Sequence, residues 1–281
     1  MIRIGLRSIV AAMAVSCLFV SAAVFGQEPG SKPETPAAAA AAPAPAPQVA
    51  APAPAPVAAP KPVVDWKVAH ERQLREDFPW LARFREADLA LGAPAEGESR
   101  VVFMGDSITE GWKLEGSFPG KPYINRGISG QTTPQMVLRF RQDVIALKPK
   151  VVVILAGTND IAGNTGPETI GQIEDNLASM ADLAWANHIK VVLCSVLPAF
   201  DYPWTPGMTP APKIVAINKW MKDYAAEKGH VYVDYHTAMK DERDGLPKTL
   251  SGDGVHPTPA GFAVMAPLVE AGIGKALESR E

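Results

Sequence analysis

Four short segments of the sequence combine glycine with side chains that can act as a nucleophile, a base or a hydrogen-bond donor. Three of them follow an apolar run of the kind that forms a strand in a buried sheet, and the fourth precedes the last predicted helix. One such segment is typical of a turn, whereas four in one chain indicate a common site. The segments are Gly105-Asp106-Ser107-Ile108, Asn125-Arg126-Gly127-Ile128-Ser129-Gly130, Gly157-Thr158-Asn159-Asp160 and Asp253-Gly254-Val255-His256-Pro257.

Ser107 is the candidate nucleophile. A serine hydroxyl attacks a carbonyl carbon only when a base takes its proton. Gly105 permits a tight turn from a strand into a helix, and the start of that helix supplies backbone N–H groups and the positive end of its dipole. The same spacing suits a serine that caps a helix N-terminus, so both interpretations stay open for this residue alone.

His256 is the candidate base, because Asp253 precedes it by only three residues. At that spacing the carboxylate can accept the imidazole N–H and fix the tautomer of the ring. Asp234 and His236 form a rival pair, since a strand would place both on one face. We expect a structural hydrogen bond for that second pair.

The remaining histidines are predicted to lie away from the site. His70 and His188 fall in predicted helices, and His230 stands at the amino end of a predicted strand.

A developing oxyanion needs hydrogen-bond donors, and three candidates are available. The backbone N–H groups of Ser107 and Gly130 are two of them, because glycine lets the backbone approach a ligand closely. Gly127 is the alternative to Gly130. Asn159 adds a side-chain amide, although an Asn in such a loop also forms Asx turns.

Strands and helices are predicted to alternate along the chain. This pattern is typical of a parallel sheet with helices on both faces, in which chemistry takes place at the carboxyl ends of the strands. The predicted strands are 100–104, 123–125, 151–156, 190–196 and 231–234. The predicted helices are 63–91, broken near Pro79, then 134–147, 167–188, 212–228 and 259–277.

The four segments, in this order and at these intervals, resemble the four sequence blocks of the SGNH hydrolases, also called GDSL esterases. The resemblance extends from about residue 100 to residue 275. The stretch 125–133 and the helical lead-in before the first strand look most like the platelet-activating-factor acetylhydrolase-like branch. The resemblance implies a flavodoxin-like, three-layer α/β/α fold with a five-stranded parallel sheet, preceded by the helical lead-in.

The resemblance also implies roles for the matching residues. Ser107 is then the nucleophile, His256 the general base and later the acid, and Asp253 the carboxylate that orients His256. The oxyanion hole is formed by the backbone of Ser107 and Gly130 and by the side chain of Asn159. We interpret the preceding aspartate of the first block, at position 106, as an anchor of the turn.

The first 62 residues precede the predicted domain of residues 63–281. Residues 1–26 have the basic start, apolar run and small residues of a cleaved export signal; an uncleaved anchor is the alternative. Residues 27–62 are dominated by alanine and proline, which predicts a disordered linker. We therefore expect an exported protein, periplasmic or secreted, that is tethered to a membrane or wall through its N-terminal segment. A linker without a mechanical role is the alternative.

Composition excludes several classes of function. The 281 residues carry 27 basic and 30 acidic side chains, a net charge of −3, which argues against a nucleic-acid binder with a general basic surface. The two cysteines exclude a disulfide scaffold and a cysteine-based zinc site. We expect no cofactor, no metal and no membrane span in the mature chain unless the signal is retained. The sequence leaves the oligomeric state open.

Three aromatic residues are candidate substrate contacts: Trp112, Tyr202 and Trp204. Aromatic faces beside a site suit sugar rings or short apolar groups, and packing in the core or in a lid is the alternative. We predict a serine esterase for short-chain esters, acetyl first, of a carbohydrate or another small alcohol. The alternatives are a lysophospholipase or thioesterase, an acyltransferase, and a glycan-binding module without catalysis.

Overall fold

A computed structural model of the protein describes residues 66–279, with the side chains from position 68 onward. The predicted export signal and linker lie outside these residues. Five strands form one sheet in the order β2-β1-β3-β4-β5, with every neighbouring pair parallel. The strands are β1 (Val101–Gly105), β2 (Tyr123–Gly127), β3 (Val151–Leu155), β4 (Lys190–Cys194) and β5 (Val231–Val233). The predicted fold class is confirmed.

Ten α-helices and one short 3₁₀ helix (Ile145–Leu147) surround the sheet in the described part of the chain. The α-helices are α1 (Trp66–Glu76), α2 (Arg85–Leu91), α3 (Ser107–Gly111), α4 (Leu114–Ser117), α5 (Thr133–Asp143), α6 (Thr158–Ala162), α7 (Ile170–Trp185), α8 (Ala211–Lys228), α9 (Tyr235–Met239) and α10 (Pro259–Glu278).

The helices form two layers because each inner strand is apolar on both faces. Successive side chains of a strand point to opposite faces, so Val102 and Met104 pack with α5, α7 and α8. Val101 and Phe103 pack on the other face with α3, α9 and α10. β3 is buried along its whole length, as a central parallel strand should be. The result is the three-layer arrangement, with the loops that follow the strands gathered at one edge of the sheet.

α10 is the one helix within residues 66–279 whose length and hydropathy would let it span a membrane. Its side chains Met265, Val269 and Ile273 are buried in the core, on the same face of the sheet as Val101 and Phe103. One face of the helix therefore belongs to the core of the domain.

Two expectations about local structure are wrong. β5 ends at Val233, and Asp234 caps α9 by accepting the backbone N–H of Thr237 at 2.9 Å. Asp234 and His236 therefore do not share a strand face, because a helix begins where the strand was expected to continue. α7 ends at Trp185, so His188 lies in the following turn, with a φ of 58°, and not in the helix.

Candidate active site

Ser107, His256 and Asp253 are joined by two short hydrogen bonds at the carboxyl edge of the sheet. The Ser107 Oγ lies 2.8 Å from the His256 Nε2, and the His256 Nδ1 lies 2.6 Å from the Asp253 Oδ2. Ser107 stands at the first position of α3, directly after β1. The structure thus brings together three side chains that the sequence separates by up to 149 positions.

Asp253 holds both its own loop and the histidine ring. Its Oδ1 accepts the backbone N–H groups of Val255 at 2.9 Å and of His256 at 2.8 Å. Its Oδ2 remains for the ring. The Ser251 hydroxyl adds a bond of 2.8 Å to the His256 carbonyl, which closes the loop on itself. The imidazole is therefore fixed in place before any substrate arrives.

The ionisation of Asp253 sets the tautomer of His256. Partial burial favours the neutral acid, but the hydrogen bonds from the His256 ring and from two backbone N–H groups outweigh it and hold the pKa of Asp253 well below its ordinary value. A carboxylate only accepts hydrogen bonds, so the His256 Nδ1 must carry a hydrogen. The Nε2 is then free to accept the hydroxyl proton of Ser107, as a general base must.

Gly130 and Gly127, the alternative backbone donors, have different environments. Gly130 lines the same pocket as Ser107, and its φ of 79° lies in the left-handed region that favours glycine. Gly127 instead packs against α3, where a Cβ would overlap the backbone of Glu110. The geometry therefore favours Gly130 as the donor that faces a substrate.

Asn159 lies in the floor of the pocket, at the first turn of α6. Its Nδ2 donates to the Gln131 carbonyl at 2.9 Å and, over a longer distance of 3.3 Å, to the Asp106 Oδ2. Both hydrogens of the amide thus have partners in the free protein. An oxyanion would share or replace the longer of these two bonds.

Asp106 caps α3 and supports Asn159, in keeping with its predicted role as an anchor. Its Oδ1 accepts the backbone N–H of Ile108 at 2.9 Å. The side chain is buried, and burial raises its pKa to about 6. Its Oδ2 accepts the side-chain amide of Asn159 at 3.3 Å.

A pocket of about 880 Å³ opens over the serine. Trp204 forms part of its wall, with 39% of the side chain exposed and the ring centroid 6.1 Å from that of His256. The lining residues are Ala69, His70, Gln73, Trp80, Ser107, Ser129, Gly130, Asn159, Asn164, Trp204 and His256.

The other two predicted substrate residues do not line this pocket. Trp112 is 3% exposed and stacks on Phe262 at 5.1 Å inside the core, because the short helix α3 turns it away from the serine. Tyr202 is fully buried and stacks behind Trp204, with ring centroids 5.1 Å apart. Tyr202 therefore supports the exposed indole and does not meet a ligand itself.

The lead-in contributes a wall of the pocket that sequence reasoning missed. Ala69, His70 and Gln73 share one face of α1, and Trp80 follows in the segment after it. The expectation that His70 lies away from the site is wrong. The helical spacing of positions 69, 70 and 73 indicates that they share one face of a helix. It does not show which surface of the domain that face meets.

Side-chain amides of the core hold the segment between α1 and α2 in place. Gln131 donates to the Pro79 carbonyl at 2.8 Å, Gln135 to the Phe78 carbonyl at 2.6 Å, and Gln142 to the Leu81 carbonyl at 2.7 Å. These bonds satisfy carbonyl groups of a segment without regular structure, and they fix Trp80 at the pocket.

The one cysteine of the described residues lies outside the pocket. Cys194 is buried in the core, and burial raises the pKa of its thiol to about 12, so it is no nucleophile. Within residues 66–279, no three histidine, cysteine, aspartate or glutamate side chains are grouped as metal ligands.

A parallel α/β sheet with hydrogen-bonded serine, histidine and aspartate side chains at its carboxyl edge is typical of the serine hydrolases. Residues 103–264 match the GDSL-like Lipase/Acylhydrolase family, and the chain belongs to this family of hydrolases that act on ester bonds. The family predicted from the four sequence blocks is thereby confirmed.

Three known proteins show how far the similarity extends. A GDSL-like lipase structure from Bacteroides thetaiotaomicron is 45% identical, with a TM-score of 0.69, and covers 72% of this chain and 100% of its own. An acetylxylan esterase of Xylanibacter ruminicola is 26% identical over 246 residues, 74% of this chain and 48% of the relative, so the chain spans about half of that protein. An acetylxylan esterase of Geobacillus stearothermophilus is 26% identical over 200 residues, 59% of this chain and 90% of the relative.

Proposed function

We propose that this protein is an exported serine esterase that removes short acyl groups, acetyl first among them, from carbohydrate esters. The observation that carries the proposal is the pair of short hydrogen bonds linking Ser107, His256 and Asp253 beside an open pocket. Family membership supports the ester bond as the point of attack.

Acylation begins when His256 takes the hydroxyl proton of Ser107 and the Oγ attacks the ester carbonyl carbon. The carbonyl π electrons move to oxygen, and the N–H groups of Ser107, Gly130 and Asn159 stabilise the resulting oxyanion. When the carbonyl re-forms, the bond to the alcohol oxygen breaks. His256 gives its proton to that oxygen, and the alcohol leaves.

Deacylation repeats the same steps with water in place of the serine. His256 removes a proton from water, the hydroxide oxygen attacks the acyl carbon, and the bond to the Ser107 Oγ breaks. The proton returns to the serine from the imidazole. The products are a carboxylic acid and the free enzyme.

The position of Trp204 supports a carbohydrate as the alcohol. His256 must reach the leaving oxygen to protonate it, so the alcohol lies on the side of the imidazole. That is the side on which the exposed indole of Trp204 stands, and indole faces pack well against the apolar faces of sugar rings. Two relatives named as acetylxylan esterases act on acetylated glycans, which agrees with this substrate class.

Hydrolysis of p-nitrophenyl acetate and of acetylated xylo-oligosaccharides tests the proposal. We expect turnover of both, release of acetate from the oligosaccharide, and inactivation by a serine-directed phosphonate or sulfonyl fluoride. Preference for lysophospholipid or acyl thioester substrates would overturn the carbohydrate assignment, and acetyl transfer to an added sugar would make the protein a transferase. Glycan binding without any turnover would identify a binding module.

Asn159→Ala tests the oxyanion hole. Removal of one donor from such a site costs about 3 kcal/mol of transition-state stabilisation, so we expect kcat to fall about a hundredfold with little change in KM. Asn187→Ala is the matched control, because its amide bonds only the Leu183 carbonyl at the far end of α7. A kcat within twofold of the parent for Asn159→Ala would contradict the assignment.

A further inference from the structure

Asn164, in the loop after α6, is hydrogen-bonded to three parts of the pocket. Its Oδ1 accepts the indole N–H of Trp204 at 3.2 Å. Its Nδ2 donates to the Asn159 Oδ1 at 3.0 Å and to the Gly130 carbonyl at 3.2 Å. The side chain of Asn164 therefore connects the ring of Trp204 with Asn159 and Gly130. These are the two residues proposed, besides Ser107, to donate hydrogen bonds to the oxyanion.

The direction of each hydrogen bond in this group is fixed by chemistry. An indole N–H only donates and a backbone carbonyl only accepts. Asn164 must therefore turn its oxygen to Trp204 and its amino group to Gly130 and Asn159. The Asn159 oxygen receives that amino group, and the Asn159 amino group then donates to the Gln131 carbonyl at 2.9 Å and to the Asp106 Oδ2 at 3.3 Å.

The loop that carries Asn164 is held on both sides. The Asn164 backbone N–H donates to the Asn159 carbonyl at 3.0 Å. The neighbouring Thr165 hydroxyl lies 2.9 Å from the hydroxyl of Thr132, at the start of α5. The side chain of Asn164 is thus positioned by its backbone before a substrate binds, which is the condition for acting on another residue.

We infer that Asn164 is a positioning residue, which keeps the Asn159 amide in the orientation that presents N–H, and not oxygen, to the oxyanion. The inference rests on the proposed function. A turned amide would place a partial negative charge against the developing oxyanion and would raise the barrier. The same side chain links Trp204, whose ring lies beside His256, to Asn159 through two hydrogen bonds.

Two substitutions of Asn164 separate positioning from packing. Asn164→Ala removes the donor to Asn159 and leaves the amide held by Gln131, so we expect a kcat about tenfold lower. Asn164→Asp puts an acceptor against the Asn159 oxygen and favours the turned amide, so we expect a loss of about fiftyfold. KM for p-nitrophenyl acetate should stay within about twofold in both. A packing role alone gives the opposite order, because Asp has nearly the shape of Asn.

A double-mutant cycle tests whether Asn164 acts through Asn159. In the Asn159→Ala background we expect Asn164→Asp to lower kcat by less than about threefold. Asn187→Asp, which makes the same charge change at the opposite edge of the sheet, should leave kcat within about twofold of the parent.

Two results would overturn the inference: a loss for Asn164→Asp no larger than for Asn164→Ala, or full additivity with Asn159→Ala. Ser107→Ala separates this failure from a failure of the proposed function. If Ser107→Ala is inactive, only the assignment of Asn164 is lost; if it is active, the proposed function fails as well.

Discussion

Replacement of Ser107 by alanine should remove ester hydrolysis and leave the domain folded. The loss in kcat should be at least about 10⁵-fold, because the acyl-enzyme cannot form and only the oxyanion donors and substrate binding remain. Folding should be unaffected, since Asp106 caps α3 and the serine hydroxyl bonds only the ring of His256. Turnover of p-nitrophenyl acetate and a thermal unfolding curve measure the two effects.

Ser179→Ala is the matched control for this substitution. Its hydroxyl is exposed on α7 and bonds only the Asp175 carbonyl, so its removal should leave kcat unchanged. A serine-directed inhibitor should add its mass to the parent and to this control but not to Ser107→Ala. If Ser107→Ala keeps the activity of the parent, the nucleophile is another group, and Ser129 is the other hydroxyl at the pocket.

The side chains proposed for catalysis could be predicted because each lies in a loop or in the first turn of a short helix, next to an element that the sequence reveals. Ser107 follows directly after β1 and Asn159 almost directly after β3, and both strands are uninterrupted apolar runs. The parallel sheet brings such strand ends to one edge. Asp253 and His256 are only three positions apart, so their contact is local. None of these relationships depends on how distant surfaces pack.

Trp112 shows where nearness in sequence misleads. It lies five positions after Ser107, but one turn of α3 directs its ring inward. There it also lies edge-on to Phe103, with ring centroids 5.8 Å apart. The position of a side chain around a five-residue helix depends on the helix bounds, and the sequence predicted that a helix follows Gly105 but not where that helix ends.

The lead-in shows the opposite case, in which distant residues meet. A Cβ placed at Gly130 would lie 3.8 Å from the Cε1 of His70, although 60 positions separate the two residues. Periodicity identifies the apolar face of a helix but does not say which surface a polar face will meet. Asn164 was missed for a related reason, because its partners come from two loops and from helix α6, whose mutual position only the folded chain defines.

Asp253→Asn should lower kcat about 10⁴-fold while the domain stays folded. The two carboxylate oxygens have separate tasks: Oδ1 accepts the backbone N–H groups of Val255 and His256, and Oδ2 accepts the ring N–H. The amide oxygen of asparagine can keep the backbone bonds, and its amino group then faces the ring. The His256 Nδ1 must become an acceptor, so the hydrogen moves to Nε2 and points at the Ser107 Oγ, where no base remains.

Asp234→Asn provides a matched control, because Asp234 also accepts a backbone N–H at a helix start but lies outside the pocket residues. It should cost stability without changing kcat. The ¹⁵N chemical shifts of the His256 ring should report a hydrogen on Nδ1 in the parent and on Nε2 in Asp253→Asn. A fall in kcat without this change of tautomer would mean that Asp253 only stabilises the conformation of its loop. A kcat within tenfold of the parent would remove Asp253 from the proposed mechanism.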